Sequence, residues 1–373
     1  MFCFDSAATW LTRRHEDQAL KKSQLKTSAS KPKRRKSVPP TVPVKRHVRL
    51  LDVARAVGVD RTVAGRVLLG TGLNIRVHPD TEKKIRAAAK RLNYQPNQMA
   101  RQLKGIRSHL LGAMVTPRMN YASYERLLAV ERAALDRGYR VMVGQATADM
   151  TSSLAYLADL QGRGVEAILC LDVMPVEIES LLAATPNIFY TLAPEHRKSY
   201  CVGLDRVASS VLAVEHLVER GRRRVGLVMA NLISRTARDR HRGYQRALAS
   251  LLNVDDDRYV FIAPPNFTLE QAADAAVETL VARGRCDGLT AGNDLWAAVL
   301  IKALRKRGLS VPSDVSVVGH DNSDVAIACD PELTTIDHRH DELAAKLIDM
   351  ALAPPKRPCQ TLITPKLIVR NST

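Results

Sequence analysis

The chain has 373 residues, 46% hydrophobic and 25% charged, a composition that suits two or three folded domains and excludes a chain disordered throughout. Its 56 Lys+Arg outnumber 38 Asp+Glu by 18, and the excess is confined to residues 1–47 (12 basic, 3 acidic) and residues 48–107 (13 basic, 4 acidic). Residues 108–373 hold 31 of each sign, so a polyanion-binding part precedes a formally neutral body, and no apolar run reaches the roughly 18 residues of a membrane span.

The start, MFCFDSAATWLTRRHED, carries Asp5 early and its basic residues after the apolar stretch, the wrong order for a secretory leader. A cytoplasmic, nucleoid-associated protein without membrane attachment is expected. Residues 21–47 are rich in Lys, Arg, Ser and Pro and hold almost no large apolar groups. Such a segment cannot offset its ordering entropy, so residues 1–47 are expected to form a disordered basic tail.

From Leu50 the pattern turns helical. LLDVARAVG places Leu51, Ala54 and Val57 on one face and stops at Gly58; Asp60 then caps a second helix, RTVAGRVLLG. Two short helices around a glycine-containing turn predict a helix-turn-helix. A third helix starts with Pro79 at its first position, has Asp80 and Glu82 in its first turn, and ends before Pro96.

Beyond Ser108, strands and helices alternate. HLLGAMV, YRVMVGQ, EAILCLD and NIFYTL read as buried strands, with helices at 123–137, 151–163 and 176–184. RRVGLVMA, RYVFIA, DGLTAGN and VSVVGHD form a second series, with helices at 239–252, 268–283 and 294–307. Two such series predict two doubly wound parallel-sheet lobes with a ligand cleft between them, at the carboxyl ends of the strands. The six cysteines are scattered without a CxxC pair and read as reduced, buried apolar groups; no cofactor or metal is expected. His338-Arg339-His340 resembles a metal pair, but its two imidazoles are expected to point to opposite sides as satisfied loop histidines.

The stretches LLDVARAVGV, NIRVHPDTEKKIRAAAKRLNYQPNQMARQLKGIRSHLLG, LAVEHLVERGRRRVGLV, GLSVPSDVSVVGHDNSD, PELTTI and PKLIVRNST, in this order, resemble the LacI/GalR (lactose-repressor-type) transcriptional regulators across residues 49–373. The resemblance implies a helix-turn-helix headpiece over residues 48–95 and a hinge helix within 96–107. A periplasmic-binding-protein-like effector and dimerisation domain over 108–373 completes it. The implied partners are double-stranded operator DNA, a sugar-like effector and a second copy of the chain. Asp60, Arg61, Thr62 and Arg66 occupy the start of the recognition helix, where Arg66 matches a family arginine suited to guanine. In the hinge match PNQMARQLKG, Leu103 is the expected minor-groove wedge, flanked by Asn97, Ala100 and Arg101.

For the effector, Arg240, Asn293 and Asp321 align with family ligand positions, and Thr236 and His338 with further ones. Tyr121 and Tyr124 stand near the family's stacking aromatic, and Thr191 replaces a carboxylate common in sugar-binding members. This chain also departs at Gly65 inside the second helix, at Leu69, and at Arg49 in place of a capping Ser or Thr. The alternative is a two-lobed solute-binding protein without DNA-directed regulation, which has no use for a basic headpiece. An enzyme is disfavoured because no nucleophile or acid–base pair stands on a strand–helix junction.

Overall fold

The computed structural model describes residues 48–70, 76–95, 107–117, 119–147, 149–192, 198–254, 257–283 and 285–373. The basic tail and the hinge positions Asn97, Ala100, Arg101 and Leu103 lie outside these. The chain divides into two units between Gln95 and Pro96.

The first unit contains α1 (Leu50–Val57), α2 (Arg61–Leu69) and α3 (Pro79–Arg91). Their core is Val53, Ala54, Ala64, Ile85, Ala88 and Ala89, with Leu50, Val57, Val63 and Leu92 against it. The buried stripe of α1 is thus Leu50, Val53, Ala54 and Val57, the i, i+3, i+4, i+7 set of a helix that begins at Leu50. Leu51, expected in that face, is instead 40% exposed. Gly58 and Gly70 end α1 and α2 at φ 72° and 67°, where a side chain would be strained. With Arg49 in the cap position, Asp52 closes the first turn in its place by accepting the Arg49 backbone N–H at 2.8 Å.

The second unit begins with β1 (Leu110–Val115), α4 (Tyr121–Asp136), β2 (Arg140–Gln145), α5 (Met150–Gly162), β3 (Ala167–Cys170), α6 (Val176–Ala184), β4 (Ile188–Tyr190) and β5 (Tyr200–Leu204). It continues with α7 (Arg206–Glu219), β6 (Val225–Met229), α8 (Arg235–Leu252), β7 (Val260–Ile262) and α9 (Leu269–Ala276). Then follow β8 (Gly288–Ala291), α10 (Asp294–Lys306), β9 (Ser316–His320), α11 (Asp324–Ala328), β10 (Thr334–Asp337), α12 (His340–Leu352), β11 (Gln360–Ile363) and β12 (Lys366–Ile368).

Two six-stranded sheets result, ordered β11-β5-β4-β3-β1-β2 and β12-β10-β9-β8-β6-β7, and only the β10–β12 pair is antiparallel. The strand pleat explains why both faces are apolar. Along β3, Ala167 and Leu169 enter one core while Ile168 and Cys170 enter another; along β6, Val225, Leu227 and Met229 face one side and Val228 the other.

The chain crosses between the sheets three times. It leaves β5 through Asp205 into α7, which packs on the second sheet. It leaves β10 through His338 and Arg339 into α12, which packs on α4, and it passes from β11 to β12. The alternation of the sequence predicts four strands per lobe; the two additional strands in each sheet, β5 and β11 in one and β10 and β12 in the other, are those flanking the crossovers. Two helices also differ from expectation. Ser234 caps α8 through the Ala237 N–H at 3.2 Å, so this helix begins a turn before residue 239. The stretch 268–283 is α-helical only to Ala276 and continues as a π-helix over Val277–Arg283.

No helix among the described residues is long and apolar enough to cross a membrane. Cys170, Cys201 and Cys286 are buried as expected, whereas Cys329 is half-buried and Cys359 exposed.

Candidate functional site

In the headpiece, Asp60 occupies the cap of α2. Its carboxylate accepts the Thr62 N–H at 2.7 Å and the Thr62 hydroxyl, and the Thr62 bonds lower its pKa. Arg61 and Thr62 are exposed, and Arg66, one turn after Thr62, is half-buried. Ala64 and Gly65 face the core, so the helix buries one side and turns its basic side outward. Asp60 therefore serves the helix end, and Arg61 and Arg66 supply the cationic donors of this face.

In the second unit, a cleft of about 320 Å³ lies between the lobes. Thr191, Thr236, Arg240, Asn293, Asp321 and His338 all line it; Tyr121 and Tyr124 do not. Tyr124 is 51% exposed on α4, and Tyr121 comes close to Asp324 at the start of α11 in the opposite lobe.

The polar residues are organised by strand ends and helix starts. Arg240 Nη1 donates to the Gly292 carbonyl at 2.5 Å, and Arg240 Nη2 lies 3.2 Å from His338 Nε2 and 3.6 Å from Asp321 Oδ1. Burial alone would raise the Asp321 carboxyl, but neighbouring His338 and the Arg240 charge outweigh it and hold it well below the usual range. Asp321 has φ 100°, an uncommon backbone conformation for a side chain that must turn into the cleft. Asn293 accepts the Trp296 N–H at 2.9 Å as the cap of α10, which leaves its amide NH2 for a ligand. The Thr191 hydroxyl donates to the Leu171 carbonyl at 2.7 Å, so it can only accept from a ligand.

Four further cleft residues escaped the sequence reading. Asp172 accepts from Thr116 N at 3.1 Å and Ser123 Oγ at 2.6 Å, and pairs with the buried Arg126 at 3.3 Å. Arg206, first residue of α7, lines the cleft at the first crossover. Trp296 supplies the aromatic wall in place of the two tyrosines. Its position in the first turn of a helix that opens at GND was the available signal; Arg126 and Arg206 sit on helices with no distinguishing pattern.

His338, in the cleft wall, and His340 do not diverge as expected. Arg339 adopts φ 55°, which turns the chain so that the two rings lie 6.1 Å apart, with His320 6.2 Å from His338 on the other side. His340 Nδ1 and Nε2 and His338 Nδ1 are buried without a hydrogen-bond partner among the described residues, whereas His338 Nε2 meets Asp321 and Arg240. Burial, with nearby Arg126 and His338, pushes the His340 imidazole down to about 3, so it is neutral near pH 7. No cluster of His, Cys, Asp or Glu among the described residues has the arrangement of a metal site.

These features define a class: a two-lobed, cleft-forming ligand-binding unit carried on the same chain as a helix-turn-helix headpiece. Residues 49–97 match the model of bacterial regulatory proteins of the lacI family, and residues 214–373 that of a periplasmic binding protein-like domain. Residues 49–97 thus form a DNA-binding domain of the lacI family of bacterial regulators, joined to a periplasmic binding protein-like domain. The chain is 28% identical over 331 residues to the transcriptional repressor PurR of Photobacterium profundum, covering 86% of this chain and 97% of that one. It is 29% identical over 330 residues to the ribose operon repressor of Escherichia coli K12, covering 86% and 98%. The Lac repressor dimer bound to operator and an anti-inducer shares the fold, with a TM-score of 0.75 at 23% identity over 88% of this chain and 99% of that one.

Proposed function

We propose that this protein is a sequence-specific DNA-binding repressor whose hold on operator DNA is set by a small molecule in the interlobe cleft. The observation that carries this reading is α2. Its start is capped by Asp60 and its outward side bears Arg61, Thr62 and Arg66, the residue types and positions with which a recognition helix meets base edges. A solute-binding protein would share the cleft but has no use for that helix.

The protein works as a homodimer on double-stranded DNA in the cytoplasm, at the nucleoid, and its role is binding rather than turnover. Ligand held by residues of both lobes, among them Asp172 of one and Arg240 of the other, changes the lobe angle about the three crossovers. That change is passed to the hinge residues Asn97, Ala100, Arg101 and Leu103, whose ordering in the minor groove is coupled to operator binding. The charge of residues 1–47 adds only salt-sensitive, sequence-blind attraction.

The test is selection from a randomised duplex pool with the full-length protein. A site of two-fold symmetry should be enriched, and Arg66→Ala should weaken its binding by about 1–3 kcal/mol while relaxing preference at one base pair per half-site. Failure to enrich any sequence would sink the reading.

A further inference from the structure

We propose that the cleft takes a small polyol bearing one oxyanion, a carboxylate by preference, seated on the guanidinium of Arg206. The proposal deepens the reading above by naming the effector's chemical class, and it rests on the cleft being the effector site.

The charged residues lining the cleft are Arg126, Arg206 and Arg240 against Asp172 and Asp321. Both carboxylates are already committed. Asp172 takes Arg126, Ser123 and Thr116, and Asp321 takes Arg240 and His338. Arg206 is the charge left over. It is only 7% exposed, and among the described residues no hydrogen bond or ion pair reaches its guanidinium. Asp239 attracts it from a distance but is engaged by Arg242 at 2.8 Å and Arg235 at 3.7 Å. Arg126 and Arg240 both repel it. A guanidinium with five donors, largely withdrawn from bulk water and facing like charges, is costly unless something supplies acceptors.

The backbone points the same way. The helices α4, α7, α8 and α10 all begin at the cleft, at Asn120, Arg206, Ser234 and Asn293, and each is at least 13 residues long. Their positive ends converge on one volume and favour negative charge there. One unmatched arginine balances one negative charge, which fits a carboxylate better than a phosphate monoester of roughly −1.5 to −2. A cavity of about 320 Å³ is at the small end of ligand sites, enough for a single sugar-sized molecule. The rest of the wall suits a polyol. Trp296 offers a face, and Asn231, Thr236 and Asn293 offer hydroxyl partners.

The experiment is calorimetric titration of the full-length protein with D-gluconate, D-galacturonate, D-glucose 6-phosphate, D-glucose and D-galactose. At least one sugar acid should bind, more tightly than its neutral counterpart, and Arg206→Gln should weaken it by about 30-fold or more. Arg206→Lys, which keeps the charge in the same frame, should retain part of the preference. Tighter binding of the phosphate than of either acid, with the same loss in Arg206→Gln, supports the oxyanion seat and moves its occupant to phosphosugars. Neutral sugars binding as well as acids, indifference to Arg206→Gln in a folded variant, or no binding by any acid or phosphate would each overturn the proposal. None of those results touches the repressor reading, which fails separately if the protein enriches no DNA sequence.

Discussion

Arg206 apart, the charged and capping side chains of the cleft have each been given a task by their neighbours. Asn293 spends an oxygen on a helix cap, as Asp60 does in the headpiece, Thr191 spends its proton on the Leu171 carbonyl, and Asp321 is held ionised between Arg240 and His338. His340, outside the cleft lining, has both ring nitrogens buried without a partner among the described residues. Arg126, Arg206, His338 and Asp321 surround it, and the net effect of burial and these charges is a folded pKa of about 3. The unfolded chain titrates near 6.5, so below that pH the unfolded state binds a proton that the folded state does not. Stability is therefore fully present above about 6.5 and is lost as pH falls toward 3. The buried His320 and His338, both also lowered, act in the same direction. His340 alone should remove about 1 kcal/mol by pH 5.5. His340→Phe should flatten the fall in Tm between pH 7 and 5.5, and an unchanged slope would show that the imidazole is solvated. Trp296→Ala should weaken effector binding without changing the operator-binding affinity of the free protein, which titration calorimetry and anisotropy can separate.

At the level of elements, close approach of helices decides what is tolerated. α7 and α8 meet where Gly243 has no side chain; a Cβ there would lie 2.3 Å from the Val207 carbonyl oxygen. Backbone cannot yield as a side chain can, so Gly243→Ala should destabilise by about 1–3 kcal/mol, read as a lowered urea midpoint. The adjacent Tyr244 is wholly buried, with its hydroxyl donating to the Val225 carbonyl at 2.8 Å. The glycine–aromatic pair that follows Arg240 is thus a packing device that aims the arginine. In the headpiece, Asp60→Ala should lower the Tm through loss of the cap. It should weaken specific and non-specific DNA binding alike, since it loosens the helix rather than removing a reader.

For the whole molecule, the distribution of charge separates attraction from control. Residues 1–107 carry the entire formal excess of +18, and the body carries none, yet its cleft holds one arginine more than its carboxylates can match. Operator affinity should fall steeply with salt because of the first, while effector affinity should fall only modestly, its charges being buried. Within the hinge match, Leu103→Ala should reduce binding to the operator far more than binding to random duplex; equal losses would count against a wedge at that position.

Local rules acting on the sequence were enough for the helix-turn-helix and the strand–helix alternation. Gly58 must end α1, Asp60 must cap α2, and Val-rich runs with both faces apolar must lie inside a covered parallel sheet. The same local view placed Leu51 in a core it does not enter, because a one-residue phase shift changes a helix face without changing its composition, and it read the π-helical stretch Val277–Arg283 as a continuation of α9. Six cleft residues were readable, five because they stand at a strand end or helix start and Arg240 because it precedes the Gly243-Tyr244 pair by three residues. Arg126, Asp172, Arg206 and Trp296 meet only when two sheets, crossed three times by the chain, bring together segments up to 170 positions apart, from residue 126 to residue 296. Formal charge along the chain shows a neutral body. Only the tertiary structure shows which carboxylate neutralises which arginine, because pairing at these distances depends on burial and geometry. That pairing leaves Arg206 over, and with it the negative charge the effector is proposed to bring.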